Sequence, residues 1–186
     1  MLVIAASVQA QTDEKQWHVL IEPKFMHPEV SFPIPGAERT VFVPGYVRGS
    51  EVRYFSKTEF AALKLDWPAF RAKAGANVSD KKVKAEFVRN GKKVIDYATI
   101  SSADPLTATA VLSPDFLKTF SDIFGAKLLV AIPNRFTVFV FPSLATNYRD
   151  YAPMIIEAYR AIAYPVSLEV FELSGDGLRA IGTFEE

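Results

Sequence analysis

The chain has 186 residues, hydrophobic residues make up 49% and charged residues 23% of it, and the formal net charge is zero. This excludes wholesale disorder, which needs low hydrophobicity and high net charge, and it predicts about one domain. The absence of cysteine excludes a disulfide framework and a thiolate zinc site, and two histidines leave little for a His-rich metal centre.

The chain opens with a short apolar run, Leu2 to Val8, followed by Val8-Gln9-Ala10. Small residues at these spacings resemble a signal-peptidase site, although a basic stretch before the run is missing. Residues 1–10 therefore read as the remnant of an export signal, with an edge strand as the alternative; export is favoured. No other stretch reaches the roughly 18 apolar residues of a membrane span.

Residues 11–56 read as a proline-rich extended arm. Pro23, Pro28, Pro33, Pro35 and Pro44 each remove a backbone donor, so poor pairing is expected, with a short strand at Thr40 to Val43. The region 57–186 reads as the α+β domain. Ser56-Lys57-Thr58-Glu59 fits a capping box, in which Ser and Glu satisfy each other's orphan amide groups. Phe60, Leu63, Trp67 and Phe70 follow at helical spacing, and Pro68 interrupts them, so the spacing predicts a broken helix over 57–75. Asn90-Gly91 then marks a hairpin between strands 82–90 and 92–101, because both residues tolerate positive φ.

Thr107 to Leu112 reads as a strand. Ser113-Pro114-Asp115 starts a helix in the order cap, proline, acid, and Gly125 stops it. Leu128 to Ile132 and Phe136 to Phe141 read as strands joined by Pro133-Asn134-Arg135. Asp150 is the expected cap of another helix, ended by Pro165. Leu168 to Leu173 and Leu178 to Phe184 are the last strands, joined by Ser174-Gly175-Asp176-Gly177.

One pattern thus recurs three times: helix, strand, strand. Short links between consecutive strands require antiparallel pairing. The expected architecture is α+β, a mostly antiparallel sheet with helices on one face.

Chemistry-bearing motifs are absent. There is no Gly-rich phosphate loop, no nucleophile elbow and no H-E-x-x-H. His18 and His27 lack the spacing of metal ligands, and Ser113 is better explained as a helix cap. No catalytic residue, metal ligand or cofactor is therefore assigned. Charge, in contrast, is unevenly placed. Between Arg71 and Lys93 stand eight basic residues and two acids, a net of +6 that the remainder balances at −6. Lys81, Lys82, Lys84, Arg89, Lys92 and Lys93 could form a basic patch on the hairpin, with Phe87 or Tyr97 stacking on bases. A solvated edge protected by lysines is the favoured alternative. Asn134, Arg135, Tyr148 and Arg149 could converge into an anion or peptide-carboxylate site.

The run Leu128-Leu129-Val130-Ala131-Ile132-Pro133-Asn134-Arg135-Phe136 to Phe141, with Tyr164-Pro165-Val166-Ser167-Leu168 to Gly182, resembles the strand-turn-strand signature and closing strands of the bacterial YtpQ-like proteins. The resemblance covers roughly residues 110–184. That family usually has an acid where this chain has Phe136. The resemblance implies an α+β domain without an established activity, and it supplies no catalytic residues.

The leading expectation is a non-enzymatic domain that binds a protein or peptide. The alternatives are a carboxylate-dependent hydrolase and nucleic-acid binding through the hairpin 81–93, the latter disfavoured.

Overall fold

The computed structural model describes residues 13–49, 51–78, 84–145 and 147–185. The possible export remnant 1–10, and Lys81 and Lys82 of the basic patch, lie outside the described residues.

The segment read as an irregular arm is instead a sheet. β1 (Trp17–Pro23) pairs antiparallel along its whole length with β3 (Thr40–Arg48). The far side of β3 carries β2 (Phe32–Pro33) against Val41 and Phe42, and β4 (Glu51–Tyr54) against residues 45–48. The prolines occupy places where a missing donor costs little. Pro23 and Pro33 end their strands. Pro44 lies between the β2 and β4 pairings, and its carbonyl accepts from Phe55 N–H at 3.1 Å. Its ring therefore points its donor-less nitrogen away from β1, and the β1–β3 ladder is intact. β1 is buried at every residue. One of its faces joins the main core through Trp17, Val19 and Ile21; Leu20 packs on the other with Val41, Val43 and Leu106. Burial on both faces erases the period of two that sequence reading looks for.

The second sheet has six strands in the order β10-β9-β7-β8-β6-β5, all antiparallel. It is built from three hairpins: β5 (Glu86–Arg89) with β6 (Ile95–Ser101), β7 (Leu128–Asn134) with β8 (Thr137–Pro142), and β9 (Glu169–Ser174) with β10 (Gly177–Thr183). Each follows helix, so the helix-strand-strand pattern and the α+β class hold. The helices precede their hairpins as α1 (Lys57–Ala62) and α2 (Trp67–Ala76), α3 (Pro114–Phe124), and α4 (Ala152–Arg160).

Local signals act as expected at three of these helices. Ser56 and Glu59 close the capping box of α1, and Asp66 and Ser113 cap α2 and α3 with a proline in each first turn. The helix breaks between α1 and α2, where Lys64 takes a φ of 53°. Asp150 is not a cap: it lies inside a 3-10 turn, Tyr148–Tyr151, and α4 begins after it.

Alternation along the second sheet sends side chains to two cores. Leu128, Val130, Val138, Val140 and Phe171 face the first sheet, α2 and α3. Leu129, Ala131, Phe139, Phe141 and Val170 face α4 through Ile155. Helices thus cover both faces of this sheet rather than one, because α4 has its own apolar surface to bury. Phe70, Phe116, Phe120 and Phe171 are fully buried, each contributing about 2 kcal/mol.

Thr107–Leu112 is a 3-10 helix, not a strand. The Thr-Ala alternation imitates a strand, but Thr107 Oγ1 donates to the Asp104 carbonyl at 2.6 Å and Thr109 Oγ1 to the Leu106 carbonyl at 2.7 Å. These local bonds fix a helical turn, which is buried on all sides between the sheets.

Candidate functional site

The hairpin turn between β7 and β8 is Arg135-Phe136, one residue later than the sequence suggests, and Asn134 ends β7. Asn134 is 1% exposed. Its Oδ1 accepts from Phe136 N–H at 2.9 Å, and its Nδ2 donates to the Ala158 carbonyl near the end of α4 at 2.8 Å. Both ends of this amide are occupied in holding the turn against the helix.

Arg135 reaches the other way, to the first sheet. Its guanidinium lies 2.8 Å from Glu22 Oε1 and donates to Tyr54 Oη at 2.8 Å. It also stands over the rings of Tyr54 and Tyr164, at 5.8 Å and 5.1 Å from their centroids. Side-chain exposure is 12% for Arg135 and 4% for Glu22, so the pair is withdrawn from water. Burial pushes the Glu22 carboxyl above its ordinary value, with the Arg135 charge opposing it. Burial, and then the Glu22 charge, push the Tyr54 hydroxyl far up. The Arg135 guanidinium is raised as well: burial lowers it, and the Glu22 and Tyr54 charges and hydrogen bonds together more than offset that.

Tyr148 and Arg149 belong to another place. Tyr148 packs edge-to-face on Phe184 at 5.9 Å, and the exposed Arg149 guanidinium lies over the Tyr148 ring. No contact described for Asn134 or Arg135 includes either of them. The four residues are two structural pairs: one joins sheets and helix, the other covers the α4 face.

A second carboxylate joint completes the seam between the sheets. Glu169, 6% exposed, accepts from the backbone N–H groups of Glu38 at 2.7 Å and Arg39 at 3.1 Å with Oε1. Its Oε2 accepts from Thr40 Oγ1 at 2.5 Å, and Thr40 is 2.7 Å from Ser167 Oγ. Sequence reading missed Glu169 altogether. The available signal was an acid at an inward position between Leu168 and Val170.

The hairpin of the basic patch has a longer turn than Asn90-Gly91 alone. Lys93 N–H donates to the Asn90 carbonyl, and Lys93 carries the positive φ, 63°. Asn90 works through its side chain, accepting from Lys92 and Val94 N–H and donating to Asp96 Oδ1. Asp96 also accepts from Tyr151 Oη at 2.9 Å; burial and this bond push that hydroxyl up to about 12. Lys84, Arg89, Lys92 and Lys93 are exposed, and Arg89 donates to the Lys93 carbonyl. Tyr97 is buried among Phe139, Phe141 and Tyr151, so it offers no face to a base. Phe87 packs on Phe120 and Phe124.

The histidines are apart in environment: His18 is buried in β1, and His27 is exposed beyond its end. Among the described residues, no cluster of three or more His, Asp or Glu has metal-binding geometry. No helix among them is long and apolar enough to cross a membrane.

Two open concavities among the described residues bear on function. One, about 480 Å³, contains Asp13 and Glu14 beside Trp17 and Lys73. Glu14 is paired with Lys73 at 2.7 Å, and Asp13 accepts from Lys15 N–H at 3.0 Å, so both acids are engaged locally. The other, about 600 Å³, runs along α2. Trp67, Pro68, Arg71, Ala72, Gly75 and Ala76 line it from α2, Leu112 from the end of the 3-10 helix and Pro114 from the first turn of α3. Trp67 is held in place by stacking on Phe32 at 4.1 Å and on Phe70 at 6.0 Å. Arg71, the one charged lining residue, stands over Phe42 at 5.5 Å. Among the described residues it has no carboxylate partner and no hydrogen bond. Small side chains keep the floor low, and Arg71 sets a positive charge beside an apolar wall. That combination can take an apolar side chain and a carboxylate together.

No family model matches the chain, and no curated protein or solved structure is similar to it.

Proposed function

We propose that this chain is a non-enzymatic domain that binds a peptide, or a short segment of another protein, in the groove along α2. The observation that carries the reading is Arg71: a guanidinium without a carboxylate partner among the described residues, set in an otherwise apolar groove of about 600 Å³. The volume falls in the range of ligand sites, roughly 300–1,000 Å³. The rigid indole of Trp67 supplies an aromatic anchor, the residue type that dominates binding energy at interfaces. The preferred ligand presents an apolar residue with an acidic side chain or a terminal carboxylate close to it. The resemblance of residues 110–184 to the YtpQ-like proteins adds no activity to this reading.

Panning a random library of about twelve-residue peptides against the full chain tests it. Recovered peptides share an apolar-acidic pattern and bind the wild type, while Ala72→Trp, which fills the floor, and Arg71→Glu, which inverts the charge, both abolish binding. Peptides that bind the two variants as well as the wild type would refute the groove as the site.

A further inference from the structure

The six-stranded sheet has two edges, finished differently. At β10, Ala180 N–H donates to the Pro35 carbonyl at 2.8 Å. Gly36 sits so close to the Ala180 carbonyl that any side chain would collide with it, and its φ of +74° also requires glycine. The segment around Pro35 therefore caps that edge. Among the described residues nothing equivalent occurs at β5. Glu86, Phe87, Val88 and Arg89 are all exposed. Among the described residues their backbone bonds go only to β6. An open edge leaves alternate N–H and carbonyl groups ready to pair with another extended chain.

The side chains say what kind of chain fits. Phe87 is 39% and Val88 36% exposed, and as neighbours on a strand they face opposite sides of the sheet. An added strand would shield both. Val94 and Ile123, on the hairpin and on α3, are also exposed apolar residues, at 58% and 45%. The charges on the hairpin itself are Lys84, Arg89, Lys92 and Lys93 against Glu86, since Asp96 is occupied by Asn90 and Tyr151. A second copy would bring two sets of these cations together and be repelled. For a nucleic acid the hairpin offers no series of stacking faces, since Tyr97 is buried and the partly exposed Phe87 already packs on Phe120 and Phe124.

We infer that β5 is a docking edge for an acidic, extended segment of another protein, which joins the sheet as a seventh strand through main-chain bonds and meets Lys84, Lys92 and Lys93 with its carboxylates. This surface is separate from the α2 groove and stands or falls without it.

The test uses the full chain and an acidic peptide of about ten residues alternating Glu and Val. Binding is followed by amide hydrogen exchange and by titration at about 50 and 300 mM salt. The expected result is at least tenfold added protection at β5 amides and at least tenfold weaker binding at high salt. The same peptide with alternate nitrogens methylated, which cannot complete the ladder, gives no protection at β5. The triple variant Lys84→Glu, Lys92→Glu, Lys93→Glu, which leaves the strand intact, loses the β5 protection, and Val88→Pro loses it through the backbone. Ala72→Trp in the groove leaves it unchanged. The inference is overturned by equal β5 protection from the methylated peptide, by peptide protection that spares β5, or by protection of β5 by single-stranded DNA and not by peptide; protection at the α2 groove as well belongs to the other site. Concentration-dependent protection of β5 in the chain alone, a sign of a second copy, overturns it too.

Discussion

Two arginines in this chain have opposite circumstances. Arg135 is buried at a hairpin turn, paired with Glu22, bonded to Tyr54 and sandwiched by tyrosine rings. Arg71 is exposed on a helix, rests over Phe42 and has no carboxylate partner among the described residues. Sequence reading singled out the first as a binding residue and treated the second as one of a run of cations. The difference teaches that a cation in a turn between apolar strands can be a fastener. A cation on an unremarkable helix can be the group left over for a partner.

The comparison breaks most easily at the seam. Arg135→Met leaves Glu22 buried without its counter-charge and should cost about 4 kcal/mol at pH 7. The cost should shrink in acid, where Glu22 takes up a proton. Urea denaturation at pH 7 and pH 4.5 measures both. Next in size is Glu169→Ala, which strips acceptors from two backbone N–H groups and the Thr40 hydroxyl and should cost about 3 kcal/mol. Glu169 meets Thr40 and Arg135 meets Glu22 at consecutive pairs of the β1–β3 ladder, so the double variant should depart from the sum of the two losses by at least about 0.5 kcal/mol.

Glu22→Gln is a smaller perturbation, since an amide oxygen can still accept from Arg135; it should cost under about 2 kcal/mol. Its sharper signature is pH dependence. Burial holds the folded carboxyl above the ordinary value of 4.5, so the folded chain keeps this proton to higher pH than the unfolded chain. That contribution is complete below the ordinary value and is lost as pH rises through the raised one. Stability of the wild type relative to Glu22→Gln should therefore fall across that window. A flat or rising difference would contradict the assigned direction.

What was legible in the sequence follows from distance along the chain. The caps at Ser56, Asp66 and Ser113 and the three hairpins depend on neighbours within a few residues, and each was readable. The first sheet was not. Its prolines suggested poor pairing, and β1, buried on both faces, shows no alternation. Nothing local reports that Pro44 turns its nitrogen away from β1. The site was harder still. Arg135 meets Tyr54 across 81 residues, and Thr40 meets Glu169 across 129. No spacing rule connects such pairs, so Arg135 looked unattached and Glu169 looked ordinary. The groove depends on α2 and the start of α3 meeting in space, which only the folded chain provides. The charge asymmetry at 71–93 was legible. That β5 is uncapped among the described residues, at the opposite edge of the sheet from the capped β10, was not.

The smallest effect on folding should come from Arg71, and it carries the most direct test. Arg71→Ala should leave unfolding free energy within about 0.5 kcal/mol of wild type, as expected of an exposed side chain. It should weaken a groove-selected acidic peptide at least tenfold, about 1.4 kcal/mol. Parallel calorimetric titration and urea denaturation of wild type and Arg71→Ala give both numbers. Unchanged stability with lost binding is the predicted result. Unchanged binding in the variant would contradict the assignment of the groove, and a large loss of stability would make Arg71 a second fastener rather than a free contact.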